Sequence, residues 1–171
     1  MTDVLTNYDQ SPPKRPTFLT VLCILTFIGS GWGLINGITQ YFTAESQVAA
    51  MSLVKENVNA EMQKVSDANP GGKMVSEMVG GMLNVFTPEN VKKMALAGIL
   101  AAVLCLAGAF LMWGLKKKGF YSYIAGTLVG IITPFVLFGA GNLLAMGMSV
   151  MVGFIGLVFV ILYGVNLKHM N

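Results

Sequence analysis

Residues 17–42 read TFLTVLCILTFIGSGWGLINGITQYF, 26 positions without a charged side chain. About 20 consecutive apolar residues span a bilayer, so this stretch predicts a membrane-crossing helix. Lys14 and Arg15 precede it as the basic start of a secretory signal would. A signal has a shorter apolar run, however, and a small-residue cleavage site after it. We therefore read 17–42 as a permanent span, tilted or reaching past the lipid.

The rest of the chain repeats the pattern. Of 171 residues, 54% are hydrophobic and 11% charged, where a soluble domain carries about 25% charged residues. Three further apolar runs predict helices over about 94–115, 120–138 and 144–167. Thr87-Pro88-Glu89 has the form of a helix start: a capping hydroxyl, a proline at the first helical position and an acid in the first turn. Lys116-Lys117-Lys118-Gly119 and Gly139-Ala140-Gly141-Asn142 read as tight turns, which makes the last three helices antiparallel neighbours. The expected fold is all-α, an integral membrane four-helix bundle with a short tail over 168–171. Cys23 and Cys105 both fall in apolar runs, as small packing residues rather than a disulfide framework.

Two segments are hydrophilic. Residues 1–16 carry Pro12, Pro13 and Pro16 and read as a disordered leader. Residues 43–91 hold two amphipathic patterns. Val48, Met51, Val54, Val58, Met62 and Val65 recur at helical spacing, and so do Met74, Val75, Met78, Val79, Met82, Leu83 and Phe86. Asn69-Pro70-Gly71-Gly72 breaks the helix between them. No Gly or Pro lies between Thr39 and Ala68, so the first helix is expected to run on to about residue 67. The segment is then an extracytoplasmic helical hairpin, or else a pair of amphipathic helices lying on the membrane.

Charge sets the orientation. Lys14, Arg15, Lys116, Lys117, Lys118 and Lys168 fall on one side, with only Asp3 and Asp9 against them. The other side has five lysines and six acids. Basic residues in short loops mark the cytoplasmic face. The reading is a multi-pass protein of the cell (cytoplasmic, or inner) membrane with both termini in the cytoplasm. Tyr41 and Phe42 on one side, and Trp113, Phe120, Tyr121, Tyr123 and Tyr163 toward the other, suit interfacial belts.

Helices in lipid associate through small residues that let backbones approach. Gly29, Gly33 and Gly37 form a glycine zipper on the first helix, and Ser122, Gly126 and Gly130 repeat its spacing on the third. Ala97, Ala101, Cys105 and Ala109 make a small-residue stripe on the second. These stripes serve packing within the chain or a homo-oligomer interface. Pro134 removes the hydrogen bond to the Gly130 carbonyl and is expected to kink the third helix. Thr133, or a serine on a neighbouring helix, would then satisfy that carbonyl.

The spans hold no Asp, Glu, Lys, Arg or His, the residues on which ion coupling and proton relays depend. The one histidine, His169, has no acid near it in sequence. No nucleophile with a base, no metal cluster and no phosphate loop is legible, so no enzyme is expected. Nor do the dispersed basic residues form a nucleic-acid surface. Neither a catalytic residue nor a cofactor is assigned. A solute path, if there is one, would be lined by Asn36, Thr39, Thr127 or Thr133. Met74, Met78 and Met82, with Met146, Met148 and Met151, offer soft sulfur ligands of the kind that take Cu(I). The alternative is that these methionines only fill apolar faces.

The stretches Lys14–Leu25 and Leu162–Lys168 resemble the opening and the ending of small, uncharacterised four-helix bacterial membrane proteins. That resemblance implies a fold and no function. One large outer loop followed by two tight turns is also similar to claudin-like and tetraspanin-like topology, without their loop cysteines. The expected function is non-enzymatic association, as an accessory or scaffold subunit or an oligomer, through the first helix and 43–91. The bilayer, a second copy or another membrane protein would be the partner. A small channel or transporter for a neutral or apolar solute is the alternative, and an outer-face Cu(I) binder is the third reading.

Overall fold

A computed structural model describes residues 16–68, 72, 73, 75, 79–81, 83, 85–139 and 143–170. The leader up to Arg15, the break at 69–71, the turn at 140–142 and Met74, Met78 and Met82 lie outside the described residues. Among the described residues the fold is all-helical: α1 (Thr17–Ala68), α2 (Pro88–Trp113), α3 (Lys118–Phe138) and α4 (Leu143–Asn166), then a 3-10 turn over Leu167–His169. All four α-helices are long and apolar enough to cross a membrane. Their outer surface agrees: Phe110, Val136 and Phe154 are each about 70% exposed or more. Such a surface aggregates in water and is ordinary in lipid. The chain is a multi-pass membrane protein.

At 52 residues α1 is about 78 Å long, against a hydrocarbon core of about 30 Å. Its four glycines do not break it. Within lipid the backbone has no water to bond to, so the helical hydrogen bonds persist. Beyond Phe42 the hydroxyls of Thr43, Ser46 and Ser52 bond back to carbonyls of their own helix. Along this arm Ala44, Val48, Met51, Lys55 and Val58 form one shielded stripe. Val54, expected on that stripe, is half exposed, because steps of 3.6 residues per turn put Lys55 there instead. Glu45 at the base of the arm pairs with Lys92 of α2 at 2.8 Å. The Lys92 ammonium holds the Glu45 carboxyl below its ordinary range. The pair is therefore complete at neutral pH and is lost as pH falls through that lowered value.

Helix α2 starts as its residues dictate. The Thr87 hydroxyl accepts from the Asn90 N–H at 3.2 Å, and Pro88 takes the first position, where no N–H is needed. It ends at Trp113 in a Schellman turn. Lys116 N–H bonds to the Leu111 carbonyl and Leu115 N–H to that of Met112. Leu115 occupies the left-handed position (φ 59°) that glycine usually fills. Its side chain is buried in the core. The turn thus falls at 114–117, and Lys118 and Gly119 already belong to α3.

The helices form a ring in chain order. Helix α2 packs against α1 and α3, and α3 against α4; α1 touches α4 only sparingly, and among the described residues the backbones of the diagonal pairs do not approach each other. The α2–α3 seam is closest. A Cβ on Gly119 would lie 2.5 Å from the Gly108 carbonyl, and one on Gly126 would lie 2.8 Å from the Ala101 carbonyl. Ser122 stitches the seam by donating to the Leu104 carbonyl at 3.0 Å. The buried cluster sits at the end that carries both ends of the bundle. It joins Leu19, Leu22 and Cys23 to Met112, Leu115, Tyr123, Tyr163 and Met170.

Gly126→Val should push α2 and α3 apart and cost about 1–3 kcal/mol. Gly31→Ala, where a Cβ meets nothing within 4 Å, should change stability by less than about 0.5 kcal/mol. Thermal unfolding of both variants in detergent measures the contrast.

Candidate functional site

The hollow of the ring is a cavity of about 470 Å³ bounded by all four helices. That lies within the roughly 300–1,000 Å³ of small-ligand sites. It exists because the residues facing the axis are small. Gly29 and Gly33 of α1, Gly98 and Ala101 of α2, Gly126 and Gly130 of α3 and Gly156 of α4 line it. Five hydroxyl-bearing residues, Thr26, Ser30, Tyr123, Thr127 and Thr133, interrupt an otherwise apolar wall. No charged side chain lines it.

One end is closed by a bond between the first and last helices. The Thr26 and Tyr163 hydroxyls meet at 2.7 Å. Tyr163 is fully buried and stacks near Tyr123, with ring centres 5.2 Å apart. Phe159 completes the triad. Tyr123 and Tyr163 are therefore core residues rather than members of an interfacial belt, while Tyr121 stays exposed. Sequence reasoning missed Thr26 altogether. Its partner is 137 residues away, and a threonine in an apolar helix has no local pattern to mark it.

The residues singled out from the sequence separate into groups. Gly37 packs on Ile99 and the Ala95 carbonyl of α2, Gly33 faces Ala102, and Gly29 has nothing within 4 Å. Gly126 lies against Ala101 and Cys105, and Gly130 against Val152 of α4. Of the expected solute-path residues, Thr127 and Thr133 line the cavity, whereas Asn36 and Thr39 face outward. Pro134 is buried, and α3 stays helical through it to Phe138. The hydroxyls near it do not bond the Gly130 carbonyl. Thr133 donates to Val129 at 2.7 Å and Ser149 of α4 to Ile131 at 3.0 Å, the carbonyls on either side. Met146, Met148 and Met151 are exposed on α4. At 3.6 residues per turn Met146 points well away from the other two. Met74, Met78 and Met82 lie outside the described residues. Among the described residues no group of three His, Cys, Asp or Glu gathers.

Thr26→Val and Tyr163→Phe should each destabilise the bundle by about 1 kcal/mol by stranding a buried hydroxyl. The double variant should lose less than the sum, with a coupling of about 0.6–1.7 kcal/mol. A double-mutant cycle on unfolding in micelles measures it.

With the geometry described, comparison with known proteins adds no likeness: the chain matches no family model, and no curated protein or solved structure is similar to it.

Proposed function

We propose that the protein is a non-enzymatic membrane subunit that works by association, with α1 and its extension as the contact surface. The carrying observation is the length of α1. It continues as one helix well beyond what a bilayer needs. At its base Glu45 pairs with Lys92 of α2. Along the arm Leu53 and Val54 are 65% and 50% exposed. Exposed apolar residues on an otherwise polar helix suit a partner's surface. The partner is another membrane protein or a second copy of the chain.

In the same reading the end with the chain termini and Lys116–Lys118 faces the cytoplasm, and the arm faces outward across the cytoplasmic (inner) membrane. The charge asymmetry supports this. A second reading, transport of a neutral or apolar solute, has the central cavity in its favour. It requires the Thr26–Tyr163 pair to part.

Purified in mild detergent, the full chain should carry a stoichiometric protein partner or run as an oligomer. Leu53→Asp should release that partner while the protein stays monodisperse. A lone monomer from the wild type would sink the association reading. For orientation, a membrane-impermeant maleimide on intact cells should label Asn59→Cys and spare Asn171→Cys. The reverse pattern would invert the topology.

A further inference from the structure

The geometry points to the central cavity as a seat for one hydrocarbon chain of a bilayer lipid, entering between α1 and α4. This does not rest on the association reading, because the arm and the cavity are separate parts of the molecule.

Depth comes first. The lining runs from Tyr123 to Thr133 on α3, about 15 Å of helix at 1.5 Å per residue. It is centred on that helix, so it occupies about the middle half of a 30 Å hydrocarbon core. Water and polar solutes are scarce at that depth, and the ends of lipid tails are abundant.

The mouth is also readable. Leu25 of α1 and Val152 and Ile155 of α4 line the cavity and are each 41–51% exposed. Of the helix pairs that are neighbours around the ring, these two have the least contact between them. The cavity therefore opens sideways toward lipid. The Thr26–Tyr163 bond, with Phe159 beside it, closes it toward the chain termini. A tail from the opposite leaflet would enter through the α1–α4 side with its methyl end at that floor.

The chemistry of the wall selects a hydrocarbon. Thr26 bonds to Tyr163, and Thr127 and Thr133 donate to carbonyls of their own helix. Among the described residues, Ser30 is the one serine or threonine in the lining without such a bond. A trapped water needs two to four polar partners, and a charged or sugar headgroup needs more. A methylene chain needs none, and the glycines let it lie against the backbone.

The test uses the full-length protein in phosphatidylcholine vesicles containing a phosphatidylcholine with a diazirine near the end of one acyl chain. After irradiation, peptide mass spectrometry should find label concentrated on the cavity wall, at residues such as Ser30, Ala101 and Phe159. Phe110 and Val136, on the outer surface, should carry less. Gly29→Leu, at a position with open space, should remove the cavity label and leave the outer label unchanged. Val152→Phe blocks the same mouth from α4 and should do likewise should Gly29→Leu fail to fold. Label spread evenly over the outer surface would overturn the proposal. So would cavity label that persists in a folded mouth-blocking variant.

Discussion

The bundle depends on the backbone contact between Gly108 of α2 and Gly119 of α3. In lipid the apolar side chains of four helices gain little by leaving one surface for another, because tails and leucines are equally apolar. Cohesion must come from close approach and from hydrogen bonds between helices. Gly108, Gly119 and Gly126 bring the α2 and α3 backbones together, and Ser122 adds a bond across the seam. The other contacts are arranged around this pair: α1 leans on α2 through Gly37, and α4 hangs on α3 through Gly156 and Ser149.

The same choice of residue creates the hollow. Small residues permit close approach along a seam, but four faces of small residues around one axis leave the axis unfilled. Among the described residues the backbones of the diagonal pairs do not approach each other, and α1 and α4 are held chiefly where Tyr163 and the core cluster gather. A large buried aromatic with a satisfied hydroxyl does there what glycine does on the seams. It fills the end of the hollow and ties the last helix to the first.

The fold was legible in the sequence because its signals are local and strong. Charge-free runs of sufficient length, the Thr87-Pro88 start and the lysine turn each mark an element without reference to another. The continuity of α1 followed from the lack of any breaker between Thr39 and Ala68. What was not legible depends on which faces meet. The spacing of Gly29, Gly33 and Gly37 does not say that Gly37 touches α2 while Gly29 lines a void. Tyr163 near a helix end looks the same whether it faces lipid or its own core. Only the ring order of the helices decides, and the small-residue stripes do not encode it uniquely.

The chemistry of the spans narrows what the membrane part can do. Charge coupling needs a group that changes its protonation or holds an ion, and the spans contain no such carboxylate, amine or imidazole. The hydroxyls of Ser122, Thr127, Thr133 and Ser149 are committed to carbonyls of the protein, where they steady helices rather than await a solute. What the spans offer is shape: a hollow at mid-membrane depth with one side toward lipid. What α1 adds is reach, since it continues as one helix to Ala68. Pro134 fits a static account of the bundle. The hydroxyls of Thr133 and Ser149 bond the carbonyls flanking the one its ring deprives of a donor, and so hold that stretch of α3 in place.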